Sequence, residues 1–260
     1  MSSSAILNLW VIVFGLIVGS FLNVIIIRLP KGLSMIHPRS QCRNCRHKLN
    51  WYENIPVLSY LALRGKCLAC KKKISFQYPV VELVTALSFL AVAIFNDYDW
   101  LTIFRDWILF SVLIAIAVID IHHQIIPDEL SLGGWVFALV TVFLDENLAF
   151  RDALLGGLIG FGVFFTFSYL YFQLTKREGM GGGDIKLMGF LGSALGYQSL
   201  WSIIFLSSVI GSLFGAFLLL FSKNESGGLK TAIPFGPFLV LGAVLYYFLG
   251  NVWLQYMTPI

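Results

Sequence analysis

The sequence predicts an all-α fold, a polytopic membrane helix bundle of about eight spans with one small loop domain. Two observations predict this class. Hydrophobic residues make up 58% of the 260 residues, and the mean hydropathy is +0.81. Charged residues make up only 12%, whereas a soluble domain carries about 25%. Because a water-soluble globule cannot bury so much apolar surface, a disordered chain, a secreted disulfide scaffold and a nucleic-acid binder are excluded.

The spans follow from continuous apolar runs, which also disfavour the alternating pattern of a β-barrel. A full span needs about 20 residues, so the fourth and sixth runs are short enough to be tilted or buried among the others. The first run is no cleavable signal, because nothing basic precedes it and its apolar stretch is too long. The eight runs are 5–27, 78–96, 101–119, 130–144, 153–174, 185–197, 199–221 and 234–254.

Several of these runs carry glycine pairs at four-residue spacing. Such pairs let helices approach closely in lipid and predict packing within the bundle. The pairs are Gly15/Gly19, Gly156/Gly160 and Gly211/Gly215.

Positive charge is concentrated in one segment. Of the 18 basic residues, 11 lie between Arg28 and Lys73, against the single acid Glu53. Since basic residues beside spans mark the cytoplasmic side, the loop 28–77 is predicted to be cytoplasmic, as are 175–184 and 222–233. These side chains also predict binding to anionic lipid headgroups. The predicted domains are the first span 1–27, the basic loop domain 28–77 and a membrane-embedded domain 78–260.

All four cysteines lie in this loop as two C-x-x-C pairs with 21 residues between them, Cys42/Cys45 and Cys67/Cys70. Two such pairs complete the tetrahedral shell of a structural zinc ion. A cytoplasmic location argues against disulfides. The remaining alternatives are reduced thiols or a redox pair.

Two carboxylates lie at predicted cytoplasmic helix ends. Asp120 follows an apolar run, and Asp184 follows the glycine-rich stretch 179–183. Acids at membrane depth are costly and usually functional. If the two approach closely, one holds a proton while the other acts as base on a water, which is the arrangement of an aspartic protease.

The glycines before Asp184 lack a Cβ, so an extended substrate strand could lie against them and their backbone could take unusual dihedrals. They are Gly179, Gly181, Gly182 and Gly183. The alternative is a flexible loop in which Asp184 caps the following helix. No P-loop is present, because Lys-Ser/Thr does not follow the glycines.

Two further acids have local interpretations. Asp128 follows Pro127 and is predicted to cap the next helix. Glu82 is predicted in the first turn of its span, where capping competes with a role as a buried functional acid.

Six blocks in this order resemble the type IV prepilin peptidases, membrane aspartic proteases of the GxGD type. They cover nearly the whole chain, and their combination is far more specific than any one of them. The blocks are 19–24 with 28–30, the paired C-x-x-C motifs, 77–82, 117–120 with 126–128, 179–186 and 233–237.

The resemblance implies that Asp120 and Asp184 are the catalytic pair of a peptidase domain in a bacterial inner membrane, with the active site facing the cytoplasm. Glu82 and Lys186 are candidates for supporting roles. The implied substrates are prepilins or pseudopilins, cut after a Gly that ends a basic leader. Many members also methylate the new N-terminus with S-adenosylmethionine, a cofactor that rests on the resemblance alone. The competing classes are a membrane transporter and an assembly scaffold with a zinc-stabilised loop.

Overall fold

The structure, a computed structural model, describes residues 3–145, 148–177, 179–221 and 234–257. These residues form nine α-helices and no strand, which confirms the all-α class. The helices are α1 (Ser3–Arg28), α2 (Leu58–Ala62), α3 (Gln77–Phe95), α4 (Trp100–His123), α5 (Asp128–Thr141), α6 (Phe150–Thr175), α7 (Gly182–Leu195), α8 (Ser199–Phe221) and α9 (Gly236–Met257).

Within the described part of the chain, five helices are long and apolar enough to cross a membrane, namely α1, α3, α4, α6 and α8. The chain is therefore a multi-pass membrane protein, but the predicted count of eight spans is not confirmed. Helices α5 and α7 have 14 residues each, which gives a length of about 21 Å. A hydrocarbon core is about 30 Å thick, so neither helix crosses it alone. The predicted inner loop 222–233, with Lys223 and Lys230, lies outside the described residues.

The chain divides into two compact units, Met1–Ala115 and Ile116–Ile260. In the first unit α1 packs along α3. A Cβ at Gly15 would lie 2.6 Å from the Cα of Ala86, and one at Gly19 would lie 2.7 Å from the Cα of Glu82. The predicted packing role of this glycine pair is confirmed, since any side chain there would push the two helices apart.

In the second unit the short helix α7 lies in the middle and packs against α5, α6, α8 and α9. Its residues Leu187–Leu191 are all buried. This explains why an apolar helix too short to span is stable, because protein rather than lipid surrounds it.

Glycines also set the spacing of α6 and α7. A Cβ at Gly156 would overlap the backbone of Gly192, and one at Gly160 would lie 2.5 Å from the carbonyl oxygen of Met188. This pair too is confirmed as a packing motif. The pair on α8 is not: a Cβ at Gly211 would make ordinary contact with Phe238, and one at Gly215 would meet nothing within 4 Å.

Candidate active site and metal centre

The two predicted catalytic carboxylates line one cavity in the second unit. Its volume is about 250 Å³, and its lining residues are Asp120, Gln124, Ile125, Ile126, Gly181, Gly182, Gly183 and Asp184. The structure therefore brings together the two acids and three of the four glycines that the sequence singled out. Two carboxylates at the wall of one small cavity disfavour each other's ionisation, because like charges repel.

Asp120 lies in the last turn of α4 rather than after it, because the helix continues to His123. The residue is only 5% exposed. Its Oδ2 accepts a hydrogen bond of 3.1 Å from the backbone N–H of Gly236, the first residue of α9. Two helices far apart in sequence thus fix the position of this carboxylate.

Asp184 is the third residue of α7, and Gly181 is the N-cap. The interpretation of Asp184 as the cap is therefore wrong. Its backbone N–H donates to the carbonyl of Gly181 at 3.1 Å, whereas no N–H or O–H group of the described residues donates to its carboxylate. The residue is partly exposed at the cavity wall, so its carboxyl group faces the cavity.

Two of the four glycines before Asp184, Gly179 and Gly183, allow close approach of neighbouring side chains, and the prediction of unusual dihedrals is wrong. Within the described part of the chain, the glycines with positive φ are Gly32, Gly65 and Gly196. Gly182 and Gly183 belong to the first turn of α7. A Cβ at Gly179 would lie 2.5 Å from the ring of Tyr171, and one at Gly183 would lie 2.8 Å from Ile126.

Asp128 does not cap α5, because Pro127 occupies the N-cap position. Its Oδ1 instead accepts a hydrogen bond of 2.6 Å from Nζ of Lys186 on α7. Both side chains are partly exposed, at 58% and 32%. This ion pair joins the first residue of α5 to the fifth residue of α7, the helix that carries Asp184.

Glu82 also differs from its predicted role. It is the sixth residue of α3, beyond the first turn, and is 6% exposed. Its Oε2 accepts a hydrogen bond of 2.8 Å from the backbone N–H of Val57, which is the N-cap of α2. Glu82 therefore ties the loop to α3 instead of capping its own helix.

The four cysteines converge in the first unit, and their Sγ atoms all lie within 4.8 Å of one another. The Cys42–Cys70 and Cys45–Cys67 Sγ distances are 3.8 Å and 4.0 Å. A tetrahedral ion with Zn–S bonds of about 2.3 Å places its sulfurs about 3.8 Å apart. These four residues could therefore hold a metal ion, and their spacing and chemistry fit zinc.

The two C-x-x-C pairs have the same backbone fold. Cys42 N–H donates to the carbonyl of His47 and Cys67 N–H to that of Lys72, each at 2.9 Å. The residue after each second cysteine has positive φ, 58° at Arg46 and 57° at Lys71. In the first pair the backbone N–H groups of Cys45 and Asn44 lower the pKa of Cys42 to about 6, whereas burial and the neighbouring thiols raise the pKa of Cys45 to about 11. A thiolate is the form that binds metal.

Sequence reasoning missed Glu53, which lies beside the first cysteine pair. Its side chain is 1% exposed. Its Oε2 accepts hydrogen bonds from the backbone N–H and Nδ2 of Asn50, both 2.9 Å, and lies 3.1 Å from Nε2 of His47. The Asn50 backbone N–H, aided by His47, lowers the pKa of Glu53. The sequence did contain one signal for Glu53, because it is the single acid between Arg28 and Lys73.

Gly236 was also missed as an individual residue. The block 233–237 was recognised as a motif, but no pattern in the sequence connects it to Asp120, which lies 116 positions earlier. Ile126 lies close to Gly236, since a Cβ at Gly236 would be 3.2 Å from Cδ1 of Ile126.

The fold and the site define a class, a multi-pass helical membrane protein with two carboxylates at one cavity and a four-cysteine cluster. Two family models match the chain, the bacterial peptidase A24 N-terminal domain over residues 13–95 and the type IV leader peptidase family over residues 107–216. The chain belongs to the type IV leader peptidase family. The first match contains the four cysteines, and the second contains Asp120 and Asp184.

Curated relatives support the same assignment. Proteins named prepilin leader peptidase/N-methyltransferase from Stutzerimonas stutzeri and Pseudomonas putida are 38% and 37% identical, covering 88% and 92% of this chain and 86% and 89% of theirs. One of the same name from Myxococcus xanthus is 40% identical over 80% of this chain and 62% of its own length. No solved structure matches the chain. These relatives do not favour a transporter or a scaffold.

Proposed function

We propose that this protein is a membrane aspartic endopeptidase that removes the basic leader of prepilins or pseudopilins after a Gly, with Asp120 and Asp184 as its catalytic pair. The proposal rests on one observation: both carboxylates line the same cavity, next to the glycines at the N-terminus of α7. Family membership supplies the substrate class, since the relatives are named for prepilin leaders.

The chemistry follows from two carboxyl groups that share one proton. The ionised carboxylate takes a proton from water as the water oxygen bonds to the carbonyl carbon of the scissile peptide. The protonated carboxyl group gives its proton to the carbonyl oxygen. When the tetrahedral intermediate collapses, a proton passes to the leaving nitrogen and the C–N bond breaks. The products are a leader ending in a Gly carboxylate and a pilin with a free N-terminal amine.

The structure supports this chemistry through burial and backbone approach. Asp120 is nearly inaccessible, which strengthens electrostatic interactions within the cavity. Gly181 and Gly182 line the same cavity without side chains. A Cβ at Gly182 would meet no described atom within 4 Å, which leaves room beside it for an extended substrate backbone.

The relatives' name also includes an N-methyltransferase, and we extend this second activity to the chain as a proposal. S-adenosylmethionine would supply the methyl group for the new N-terminal amine. Among the described residues that line the cavity beside the two acids none is aromatic, so these residues offer an adenine ring no stacking surface. We therefore assign the cofactor no residues and derive no methyl-transfer step.

For the four-cysteine cluster we propose structural zinc held by Cys42, Cys45, Cys67 and Cys70. Four thiolates close the tetrahedral shell and leave no position for substrate. The ion would hold the two C-x-x-C pairs together, and folding of the 28–77 loop would depend on it.

We propose that the loop 28–77 and both acids face the cytoplasm from a bacterial inner membrane, and that the basic loop lies against anionic headgroups. Nucleic acid is not an expected partner. The domain boundaries 1–27, 28–77 and 78–260 stay predictions. Single cysteines placed at positions 65 and 178 should react only with membrane-permeant thiol reagents in intact cells, and labelling from outside would contradict this orientation.

Mass spectrometry of a co-expressed prepilin tests both activities together. The expected result is a pilin shortened at the Gly and heavier by one methyl group than the free amine. The Asp184→Ala variant should leave the prepilin intact. An intact prepilin with the wild-type protein, or cleavage retained in Asp184→Ala, would contradict the proposed peptidase.

A further inference from the structure

We propose that Gly236 is a positioning residue for Asp120: its backbone N–H holds one carboxylate oxygen and makes Asp120 the charged member of the pair, while Asp184 carries the shared proton. This inference rests on the proposed peptidase function. It assigns distinct roles to two acids that the sequence treats alike.

The first argument is the pattern of N–H groups at the start of α9. The first N–H groups of a helix have no partner within the helix. Pro237 has no N–H, and Phe238 and Leu239 donate theirs to the carbonyl of Phe235. The N–H of Gly236 instead donates to Asp120 Oδ2 at 3.1 Å. This end of α9 therefore directs one donor, with the positive end of the helix dipole, at one carboxylate.

The second argument is the contrast with Asp184. Among the described residues no donor reaches its carboxyl group, although Asp184 also lies in the first turn of a helix. A hydrogen bond from N–H favours the charged form of a carboxylate, whereas an acid without such a donor beside a negative charge favours its neutral form. The pair is therefore asymmetric before substrate binds.

The third argument is steric. A Cβ at position 236 would lie 2.6 Å from Asp120 Oδ2 and 3.2 Å from its Cγ. The carboxylate is thus packed directly on the backbone, and only glycine leaves room for it. The φ of Gly236 is not positive, so the requirement for glycine comes from this contact and not from backbone strain.

Other charged groups near Asp120 do not offer the same assignment. Asp184 on α7 is the other acid at the same cavity, and it brings no hydrogen-bond donor of the kind that Gly236 supplies. Asp128 on α5 and Lys186 on α7 are paired with each other. His122, on the same helix as Asp120, is exposed and bonds through Nδ1 to the carbonyl of Val118. Asp120 would accordingly take the proton from water, and Asp184 would protonate the carbonyl oxygen.

The decisive experiment removes the N–H without adding a side chain. Cell-free translation of the full chain into lipid nanodiscs, with glycolic acid at position 236, replaces this amide by an ester. Prepilin cleavage should lose about 10- to 100-fold in kcat, the range expected for one hydrogen bond to a charged group, with little change in KM. The acid limb of the pH profile of kcat/KM should move to higher pH, because the charged carboxylate has lost its donor.

A second variant keeps the N–H and displaces the carboxylate. Gly236→Ala should lose more activity than the ester, and adding Ile126→Val, which removes Cδ1, should not restore it. Gly162→Ala and Gly215→Ala are matched controls, because a Cβ at either position would meet no atom of the described residues within 4 Å. Both should cleave at the wild-type rate. Thermal unfolding in the nanodisc checks that each variant is folded.

The outcomes separate the two proposals. Cleavage by the wild-type protein together with an unchanged kcat and pH profile in the ester variant would overturn this inference alone. Rescue of Gly236→Ala by Ile126→Val would also overturn it, because crowding of Ile126 would then be the cause. Absence of prepilin cleavage by the wild-type protein would overturn the proposed function and this inference with it.

Discussion

The four thiols of the first unit and the two carboxylates of the second are both small clusters of ionisable groups. The two clusters differ in how the backbone surrounds their members. Both cysteine pairs have the same turn, with matching N–H donors and a positive φ after the second cysteine. Among the residues that the structure describes, a backbone N–H donates to the carboxylate of Asp120 but to none of the carboxyl oxygens of Asp184. Ligands that are held by two matching turns suit an ion that is to stay bound, whereas unequal acids suit a proton that moves from one group to another.

Removing the acids should give the largest effect. Asp120→Asn and Asp184→Asn keep the side-chain shape and abolish proton sharing, so each should lower the rate of prepilin cleavage by about 10³-fold or more. Because the two acids act as a unit, the double variant should be little slower than either single one. Purified variants are assayed with a prepilin peptide.

The control for this series is Glu129→Gln, an exposed acid in the first turn of α5, which should cleave normally. Metal content should stay at the wild-type level in all the Asn variants. Near-normal cleavage by either single variant would show that Asp120 and Asp184 are not a catalytic pair.

Breaking the thiol cluster should have a different outcome. Cys42→Ser removes one of four ligands, so zinc should be lost and the loop 28–77 should become sensitive to protease, because structural zinc supplies folding free energy. Cleavage should fall less than in the Asn variants. Elemental analysis and limited proteolysis measure the two effects.

Ser40→Ala is the matched control, because Ser40 contributes a backbone carbonyl to Leu49. A purified wild-type protein without zinc and with two disulfides would contradict the proposal that the four cysteines hold a structural zinc ion.

Composition and motif spacing predicted the all-α class, the metal-ligand set and the convergence of Asp120 with Asp184. These succeed because apolar runs, C-x-x-C pairs and acids at helix ends each carry local chemistry. The roles of Glu82, Asp128 and Gly236 could not be predicted in the same way. Their partners lie 25, 58 and 116 positions away, and such pairs depend on helix packing that the local sequence does not specify.

The spacing of α6 and α7 depends on glycine, and changing it should have an intermediate effect on stability. Gly156→Ala would place a Cβ on the backbone of Gly192, so α6 and α7 must separate. Such overpacking costs about 1–3 kcal/mol in unfolding free energy. Gly162→Ala on the same helix meets nothing within 4 Å and should be neutral. Equal unfolding midpoints for the two variants in detergent would contradict the packing role.

The acid beside the thiols should show its effect through pH. Glu53 has a lowered pKa in the folded protein, so its stabilisation is present above the unfolded value of about 4.3 and is lost as pH falls through the lower folded value. Glu53→Gln should cost about 1–3 kcal/mol at pH 7, and the difference from wild type should shrink below pH 4. Protease sensitivity of the loop, measured against pH for both proteins with bound zinc determined in each sample, checks this. If the stability difference between wild type and Glu53→Gln grew on acidification, the predicted pH dependence would be wrong.

The smallest effect is expected at the ion pair between α5 and α7. Asp128 and Lys186 are 2.6 Å apart, but their side chains are 58% and 32% exposed. Exposed pairs contribute about 0–1 kcal/mol, so Asp128→Asn and Lys186→Met should each change the unfolding free energy by less than about 1 kcal/mol. The double-mutant cycle should give a coupling of similar size, which decreases at high salt. Lys186 lies two residues after Asp184, so the cleavage rate is the sharper measurement. If Lys186→Met slowed cleavage strongly while stability stayed near wild type, the ion pair would be orienting the α7 N-terminus, and Lys186 would join Gly236 as a positioning residue.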